Sequence, residues 1–290
     1  MAVHVPVMLA QCLEYLLVDP EGVYLDLTTG EGGHSLAIAQ RISPRGLLYC
    51  FDRDEEIQAL AKENLKEYPQ IKFVLKNFSE LKKEVQPDSV SGILADLGIS
   101  MFHYRSSDKG FSFLKKDPLD MSLDGSHPNL SDIVHDFGEK EISDLIYRYG
   151  EERMARKIAH YIVSYRKEKK IEDTAELAAL IKKAVPANPE KRGFHPATKS
   201  FQAFRIYINK EFENLEIMLK DSLEVLKSGG HLVLLTYHSL EDRIVKQFFK
   251  ERLEQGEIRL LNKKPLTADM DEVENNQSAG SAKLRAVEKI

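Results

Sequence analysis

The chain has 290 residues, of which 42% are hydrophobic, enough for the core of one large domain or of a domain that carries an insertion. The formal net charge of −5 excludes a polycation, and Cys12 and Cys50 are too far apart for a disulfide framework or a zinc ribbon, so no metal site is predicted. No apolar stretch approaches the roughly 20 residues that cross a bilayer, and the N-terminus lacks signal-peptide features, so we expect a cytoplasmic protein without membrane contact.

The first hundred residues alternate short apolar strands with helices. Strands are predicted at "GVYLDLTT", "GLLYCFDRD", "IKFVLKNF" and "VSGILADLG", and helices at "HSLAIAQRI" and "DEEIQALAKENLKEY". This alternation is typical of βαβ units, and it predicts an α/β fold with a mostly parallel sheet and helices on both faces.

The alternation stops between about Arg105 and Pro196, where the sequence is helical and rich in loops. "EISDLIYRYGEERMARKIAHYIVSYRKEKK" has helical periodicity, and "TAELAALIKKAV" predicts a helix with Thr174 as its N-cap. We therefore predict a core at residues 1–104 and 197–290, interrupted by a helical subdomain at residues 105–196.

The α/β pattern returns after the insertion. One long helix is predicted around "SFQAFRIYINKEFENLEIMLKDSLEVLKSGG", ended by its Gly-Gly pair. A strand "HLVLLTYHS", a helix "LEDRIVKQFFKERLEQ" and two candidate strands, "EIRLL" and "AKLRAVEK", follow it. The polar segment "KKPLTADMDEVENNQSAGS" between those two strands is predicted to be mobile.

A glycine-rich turn, "TTGEGGHS", follows the first strand. The dinucleotide pattern fails here because it requires glycine or alanine where Ser35 stands, and Asp26 at the strand tip would repel a phosphate. S-adenosylmethionine carries a sulfonium and an ammonium and no phosphate, and its ribose hydroxyls suit Asp52, which lies 22 residues after Gly30. The alternative is an ordinary tight turn with solvated acids.

Three predicted strands end in aspartate. Because ligands of open α/β sheets lie outside the carboxyl ends of the strands, we expect Asp26, Asp52 and Asp96 to converge on one crevice. The same rule puts Phe78 beside the adenine as a flat apolar wall, although a plain core phenylalanine fits the pattern equally well.

These motifs resemble the bacterial small-subunit ribosomal RNA cytosine-N4 methyltransferases, the methyltransferase H family. The resemblance runs from His4 to the final "SAKLRAVEK", and it rests on "HVPVML", "DLTTGEGGHS", "DRD", "ADLGIS", "KGFSF", "PLDM", "FHPATKSFQAFRIYIN" and "YHSLEDRIVKQFF". It implies a Rossmann-like methyltransferase core that binds S-adenosylmethionine, with the insertion serving substrate recognition. The implied substrate is the N4 amine of a cytidine in the decoding region of 16S ribosomal RNA, within the small subunit. A homodimer is one oligomeric state that the protein could adopt.

The resemblance also implies site residues. It assigns the cofactor contacts to Gly32, Gly33, His34, Asp52, Phe78, Asp96 and His103. The last of these departs from the family pattern, because "SMFHYR" stands where the family usually has "SSPQLD" and His103 replaces a glutamine. Asp96 is the candidate catalytic residue: a carboxylate that accepts a hydrogen bond from N4–H would localise electron density on a poor nucleophile and then receive its proton.

Two further motifs have both a functional and a structural interpretation. "TYHSLEDR" offers His238, Ser239, Glu241 and Arg243 as a pocket wall, or Ser239 with Asp242 as a helix N-cap. In one interpretation of "RGFHPATKSFQAFR", His195, Lys199 and Arg205 lie over the mouth of the crevice at the strand ends. In the other, the motif begins a helix and these basic residues are solvated.

A chain that binds RNA is expected to have a basic surface, although this chain carries a net negative charge. Residues 153–210 contain 14 Lys+Arg and five Asp+Glu. Their formal net charge is therefore +9, and that of the rest of the chain is −14. This basic window is either an RNA-binding surface or a solvated face. Two rival functions also stay open, namely methylation of another amine, nucleobase or protein, and a non-catalytic RNA- or nucleotide-binding scaffold.

Overall fold

The computed structural model describes residues 6–105, 107–185 and 195–290. His4 of the "HVPVML" motif and Lys191 and Arg192 of the basic window lie outside the described residues. The chain divides into two compact units, the first containing residues up to Ile99 and Phe212–Ile290, and the second containing Ser100–Glu211.

The N-terminal part of the first unit forms the predicted strand–helix alternation. Its elements are α1 (Leu9–Leu16), β1 (Val23–Asp26), α2 (Gly33–Ala39), β2 (Leu47–Asp52), α3 (Glu55–Asn64), β3 (Ile71–Leu75) and β4 (Val90–Asp96), with a 3₁₀ helix at Phe78–Lys83. The sequence explains where α3 begins, because the Asp54 side chain accepts hydrogen bonds from the backbone N–H groups of Glu56 and Ile57.

The second unit consists of helices and loops in its described residues, as the sequence predicted, and residues 107–129 form a long loop. Its helices are α4 (Met101–Arg105), α5 (Leu130–Asp136), α6 (Glu139–Gly150), α7 (Ala155–Arg166), α8 (Thr174–Ala184) and α9 (Thr198–Ile208). The predicted N-cap of α8 was wrong by one position, since the carboxylate of Asp173 accepts from the N–H of Glu176. Glu151, with φ 48°, ends α6 and separates it from α7.

The boundaries of the second unit differ from those predicted. The predicted insertion began at residue 105 and ended at residue 196, whereas α4 and α9 also belong to this unit. The reason for α9 is its close packing on α6: a Cβ added at Gly150 would lie 2.5 Å from the carbonyl oxygen of Lys199. An isolated helix pattern does not reveal which neighbour the helix packs against.

The C-terminal part of the chain returns to the first unit. It adds α10 (Glu211–Val225), β5 (Leu226–Thr236), α11 (Ser239–Glu254), β6 (Ile258–Leu260), α12 (Met270–Asn275) and β7 (Lys283–Lys289), with a 3₁₀ helix at Gln277–Ser281. The prediction of one long helix was wrong, because Lys210 adopts φ 50° and separates α9 from α10. The Gly-Gly pair lies inside β5, where Gly229 adopts φ 75° beside an irregularity in the pairing with β4.

The sheet has seven strands in the order β3-β2-β1-β4-β5-β7-β6. The pairs from β3 to β5 are parallel, and β7 is antiparallel to both β5 and β6. Alternate residues of the central strands face two apolar clusters, one with α1 and α2 and the other with α10 and α11. This is the predicted α/β fold, and its parallel strands point their carboxyl ends to one edge.

The polar segment before β7, predicted to be mobile, carries regular structure instead. Asp269 caps α12 by accepting from the N–H of Glu272 at 2.8 Å, and Leu266 forms a bridge with Leu284 of β7. The Glu272 carboxylate in turn accepts from the backbone N–H of Met8 at 2.5 Å. The segment therefore holds the chain that leads into α1.

Candidate active site at the carboxyl edge of the sheet

The site is built around three adjacent parallel strands. β1 ends at Asp26, β2 at Asp52 and β4 at Asp96, and β1 lies between the other two. The three aspartates therefore occupy the same edge of the sheet, where the chain leaves each strand.

The glycine turn after β1 is tied to this edge. Gly32 adopts φ 93°, which disfavours any residue with a Cβ, and its N–H donates to the carbonyl of Thr29 at 2.8 Å. The N–H of Gly30 donates to Oδ2 of Asp52 at 3.0 Å, so the turn and the end of β2 are held together. A Cβ at Gly33 would lie 2.7 Å from Cγ of Pro6, which shows how closely the N-terminal segment covers the start of α2.

Asp52 is half-buried and retains acceptor capacity. Its two carboxylate oxygens accept from the N–H groups of Gly30 and Asp54, each at 3.0 Å. Each oxygen has a second lone pair, so the carboxylate can still receive two hydroxyl groups. Burial raises the pKa of Asp52 to about 6, although the two backbone donors act in the opposite direction.

Asp26 does not face a ligand in the way the sequence suggested. Only 1% of the residue is exposed, and its carboxylate accepts from Oγ of Ser35 at 2.5 Å and from the N–H of Thr28 at 3.1 Å. Burial raises the pKa of Asp26 above its ordinary value. Ser35, whose presence excluded the dinucleotide pattern, therefore serves to satisfy a buried acid that organises the turn.

Asp96 is held at both its backbone and its side chain. Its N–H donates to Oγ1 of Thr28 at 2.7 Å, and its Oδ1 accepts from the hydroxyl of Tyr237 at 2.5 Å. His34, on α2, places Nδ1 3.9 Å from Oδ2 of Asp96. The other ring nitrogen, Nε2, lies 3.1 Å from the carbonyl oxygen of Val7; because a carbonyl only accepts, Nε2 carries a hydrogen.

Sequence reasoning missed Tyr237, Thr28 and Ser35 as parts of this site. For Tyr237 a signal existed, because β5 pairs with β4 so that Leu235 is opposite Asp96, and Tyr237 stands two residues farther along. The histidine and charged side chains of "TYHSLEDR" are more reactive than a tyrosine, so the motif alone does not single out Tyr237.

The remaining predicted cofactor residues differ in their surroundings. Phe78 begins the 3₁₀ helix after β3 and, half-buried, packs against the apolar cluster on one face of the sheet. His103 belongs to α4 of the second unit, where it is 4% exposed and its ring meets Phe111 edge-on at 5.4 Å. The cofactor contacts of both residues stay predictions.

The structure resolves the "TYHSLEDR" alternatives toward a helix cap, with different residues from those expected. His238 is the N-cap of α11, and Glu241 completes a capping box by accepting from the backbone N–H of Tyr237 and of His238. Asp242 instead pairs with Lys283 and Arg285 of β7.

The three basic residues of "RGFHPATKSFQAFR" have partners within the second unit. His195 stacks on Phe113 with a centroid distance of 4.8 Å, and Nζ of Lys199 donates to the carbonyl of Glu151. Arg205 is 9% exposed and makes a two-pronged ion pair with Glu211. These contacts favour the interpretation that this motif begins and anchors a helix.

Comparison with known proteins decides the family. The sequence matches the MraW methylase family over residues 1–290. The chain belongs to this family. Two relatives are each named "Ribosomal RNA small subunit methyltransferase H". The one from Acidobacterium capsulatum is 43% identical and covers 99% of this chain and 98% of its own length. The one from Clostridioides difficile strain 630 is 39% identical and covers 99% of both chains.

A solved structure supports the fold alone. A putative rRNA methylase from Clostridium thermocellum superposes with a TM-score of 0.51 at 13% identity, covering 99% of this chain and 100% of that one. In the part of the chain that the structure describes, no helix combines the length and apolar composition needed to cross a bilayer.

Membership of the MraW methylase family confirms the predicted methyltransferase class, with S-adenosylmethionine as its cofactor. The first unit contains groups that fit this cofactor. Asp52 has acceptor capacity for two ribose hydroxyls, the Gly32 turn allows close backbone approach, and the acidic edge suits a ligand without phosphates.

Proposed function

We propose that this methyltransferase methylates the N4 amine of a cytidine in the decoding region of 16S ribosomal RNA. The observation that carries the proposal is Asp96 at the carboxyl end of β4 beside the glycine turn. Its backbone N–H donates to Thr28, and its carboxylate accepts from the Tyr237 hydroxyl. The names of the relatives from Acidobacterium capsulatum and Clostridioides difficile support ribosomal RNA of the small subunit as the substrate.

The chemistry requires an acceptor beside the amine. S-adenosylmethionine would supply a methyl group bonded to a positively charged sulfur. In-line displacement at that methyl carbon releases a neutral thioether, which is a good leaving group. The N4 lone pair of cytosine is delocalised into the ring, so the Asp96 carboxylate accepts a hydrogen bond from N4–H, localises that lone pair and takes the proton as the N–C bond forms. Positioning of the two reactants contributes the rest of the acceleration.

The remaining predicted residues hold the cofactor. Asp52 accepts from the ribose hydroxyls, and Gly32, Gly33 and His34 surround its amino-acid end at the start of α2. Phe78 covers the adenine. The carboxylates bind ribose and ammonium rather than sulfur, because the sulfonium loses its charge in the reaction and strong anionic contacts to it would oppose that loss.

The second unit serves as the RNA-recognition subdomain in this proposal. Basic side chains of α7 and α8 are exposed, including Arg156, Lys157, Lys182 and Lys183. Contacts of this kind to phosphates release counterions, so RNA binding should weaken steeply with salt. The target base must be unstacked or in a loop before it can be methylated.

The test is methylation of defined substrates followed by nucleoside analysis. The purified chain is incubated with methyl-labelled S-adenosylmethionine and with naked 16S RNA, small subunits or whole ribosomes from cells that lack this modification. We expect N4-methylcytidine in RNA from at least one substrate. Label at a 2′-oxygen, at C5 of cytosine or in protein would contradict the proposal, and RNA binding without consumption of cofactor would indicate a scaffold.

The affinity for S-adenosylmethionine is expected to fall below about pH 6. The pKa of Asp52 is raised to about 6 by burial, so the carboxylate is charged above that pH and accepts fully from the ribose hydroxyls. Below it the carboxyl is protonated, and the affinity should decrease by up to about tenfold per pH unit for a single group. Calorimetric titration between pH 5 and pH 7 measures the effect.

Asp52→Asn is the matched control for this pH dependence. The amide keeps the shape of the side chain and does not titrate, so the variant should bind more weakly at pH 7 and lose the decrease centred near pH 6. An identical pH profile in the variant and the wild-type protein would show that another group is responsible.

A further inference from the structure

The hydrogen bond between Tyr237 and Asp96 is not among the contacts that the family resemblance assigned. The Tyr237 hydroxyl donates to Oδ1 of Asp96 at 2.5 Å, across the adjacent ends of β5 and β4. Burial, and then the charge of Asp96, raise the pKa of Tyr237 well above its ordinary value. The phenol therefore keeps its proton through neutral pH, and the carboxylate is the acceptor in this pair.

Tyr237 is held at its backbone and at its ring. Its backbone N–H donates to Oε2 of Glu241 at 3.0 Å, and Glu241 is 3% exposed within the capping box of α11. Its half-buried ring packs against the apolar cluster that contains Cys12, Leu94 and Leu235. With its backbone and ring held, the hydroxyl stays within hydrogen-bonding distance of Oδ1 of Asp96.

This arrangement limits the rotation of the Asp96 carboxylate. The backbone of Asp96 is fixed by the β4 pairing and by the hydrogen bond to Thr28, and the bond from Tyr237 selects one orientation of the side chain. An ionised carboxylate has about four lone-pair sites, so one donor orients the group without removing its capacity to accept a proton. Hydrogen bonds to charged groups are also the stronger ones.

We propose that Tyr237 is a positioning residue for methyl transfer, which acts by holding the Asp96 carboxylate in the orientation that receives the N4 proton. The inference rests on the proposed function. In the step concerned, the N4 lone pair forms the bond to the methyl carbon, the S–C electron pair stays on sulfur, and the N4–H bond breaks as an O–H bond forms on Asp96. Tyr237 keeps its own proton throughout.

The test is Tyr237→Phe, which removes one oxygen and keeps the ring. Single-turnover methyl transfer is measured with saturating S-adenosylmethionine and RNA substrate, together with the dissociation constants of both. We expect the rate of the chemical step to fall about 10- to 100-fold, as for loss of a hydrogen bond to a charged group, while the affinity for S-adenosylmethionine changes less than about threefold. A purely structural role would lower stability and binding without this separation of rate from affinity.

Tyr24→Phe is the matched control. The Tyr24 hydroxyl is also hydrogen-bonded, to the backbone of Val18 and Asp19 before β1 begins, and the ring is fully buried. This variant should lower the unfolding temperature and leave the single-turnover rate unchanged.

The outcomes separate the two proposals. A wild-type protein that makes no N4-methylcytidine would overturn the proposed function itself. An active wild-type protein with an equally fast, folded Tyr237→Phe variant would overturn the positioning role alone. A fall in rate that is matched by the Tyr24→Phe control, or that comes entirely from weaker cofactor binding, would also contradict it.

Discussion

Replacing Asp96 by asparagine is expected to slow methyl transfer by about 10²- to 10⁴-fold, the usual contribution of a general base. The amide has nearly the shape of the carboxylate and still accepts from Tyr237, but its oxygen is too weakly basic to take the N4 proton. The measurement is the single-turnover rate at saturating S-adenosylmethionine, which separates the chemical step from any loss of cofactor affinity.

Asp19→Asn is the control for this substitution. Asp19 pairs with Lys227 and lies before the amino end of β1, away from the edge that carries Asp96. Its variant should retain the wild-type rate. If Asp96→Asn kept a rate within about threefold of wild type, proton acceptance by this carboxylate would be excluded and its role would be confined to binding the cofactor.

Gly32→Ala is expected to weaken the binding of S-adenosylmethionine by about 5- to 150-fold, which corresponds to a strain of about 1–3 kcal/mol in the turn. Two effects combine at this position. The φ of 93° disfavours a residue with a Cβ, and the added carbon would lie 3.0 Å from Cδ1 of Leu65. Because the turn is also hydrogen-bonded to Asp52, its displacement should disturb the proposed ribose site.

Gly256→Ala separates backbone strain from the effect on the site. Gly256 follows α11 with φ 74°, and nothing lies within 4 Å of an added Cβ. Both variants should lose stability in thermal denaturation, and only Gly32→Ala should lose cofactor affinity in calorimetric titration. Equal cofactor affinities in the two variants would show that the turn does not contact the ligand.

The sequence predicted the strands and most of the helices because their signals are local. Apolar runs ending in aspartate identified β1, β2 and β4, and helical periodicity identified α3, α8 and α11. The ends of α6 and α9 were not foreseen, since Glu151 and Lys210 adopt positive φ without being glycines. The place of β7 between β5 and β6 depends on pairing between distant segments, which a local pattern does not encode.

The candidate site was predicted in outline and misjudged in its details. The convergence of three aspartates followed from strand polarity, but burial separates their roles: Asp26 is enclosed by Ser35 and Thr28, while Asp52 and Asp96 stay half-buried. Burial is a property of the packed chain, so three similar strand tips looked equivalent. The cap of α12 did have a local signal, the spacing of Asp269 and Glu272, which the polar composition of its segment obscured.

The strand order has a consequence for the biogenesis of the protein. β5 contributes fully buried residues at Leu232–Leu235, yet its neighbour β7 is made about fifty residues later in the chain. Until Lys283–Lys289 emerges, a growing polypeptide presents an open, apolar strand whose backbone groups can pair with other chains. Removal of β7 should therefore yield aggregates rather than a smaller folded enzyme, because synthesis has to reach β7 before that edge is covered.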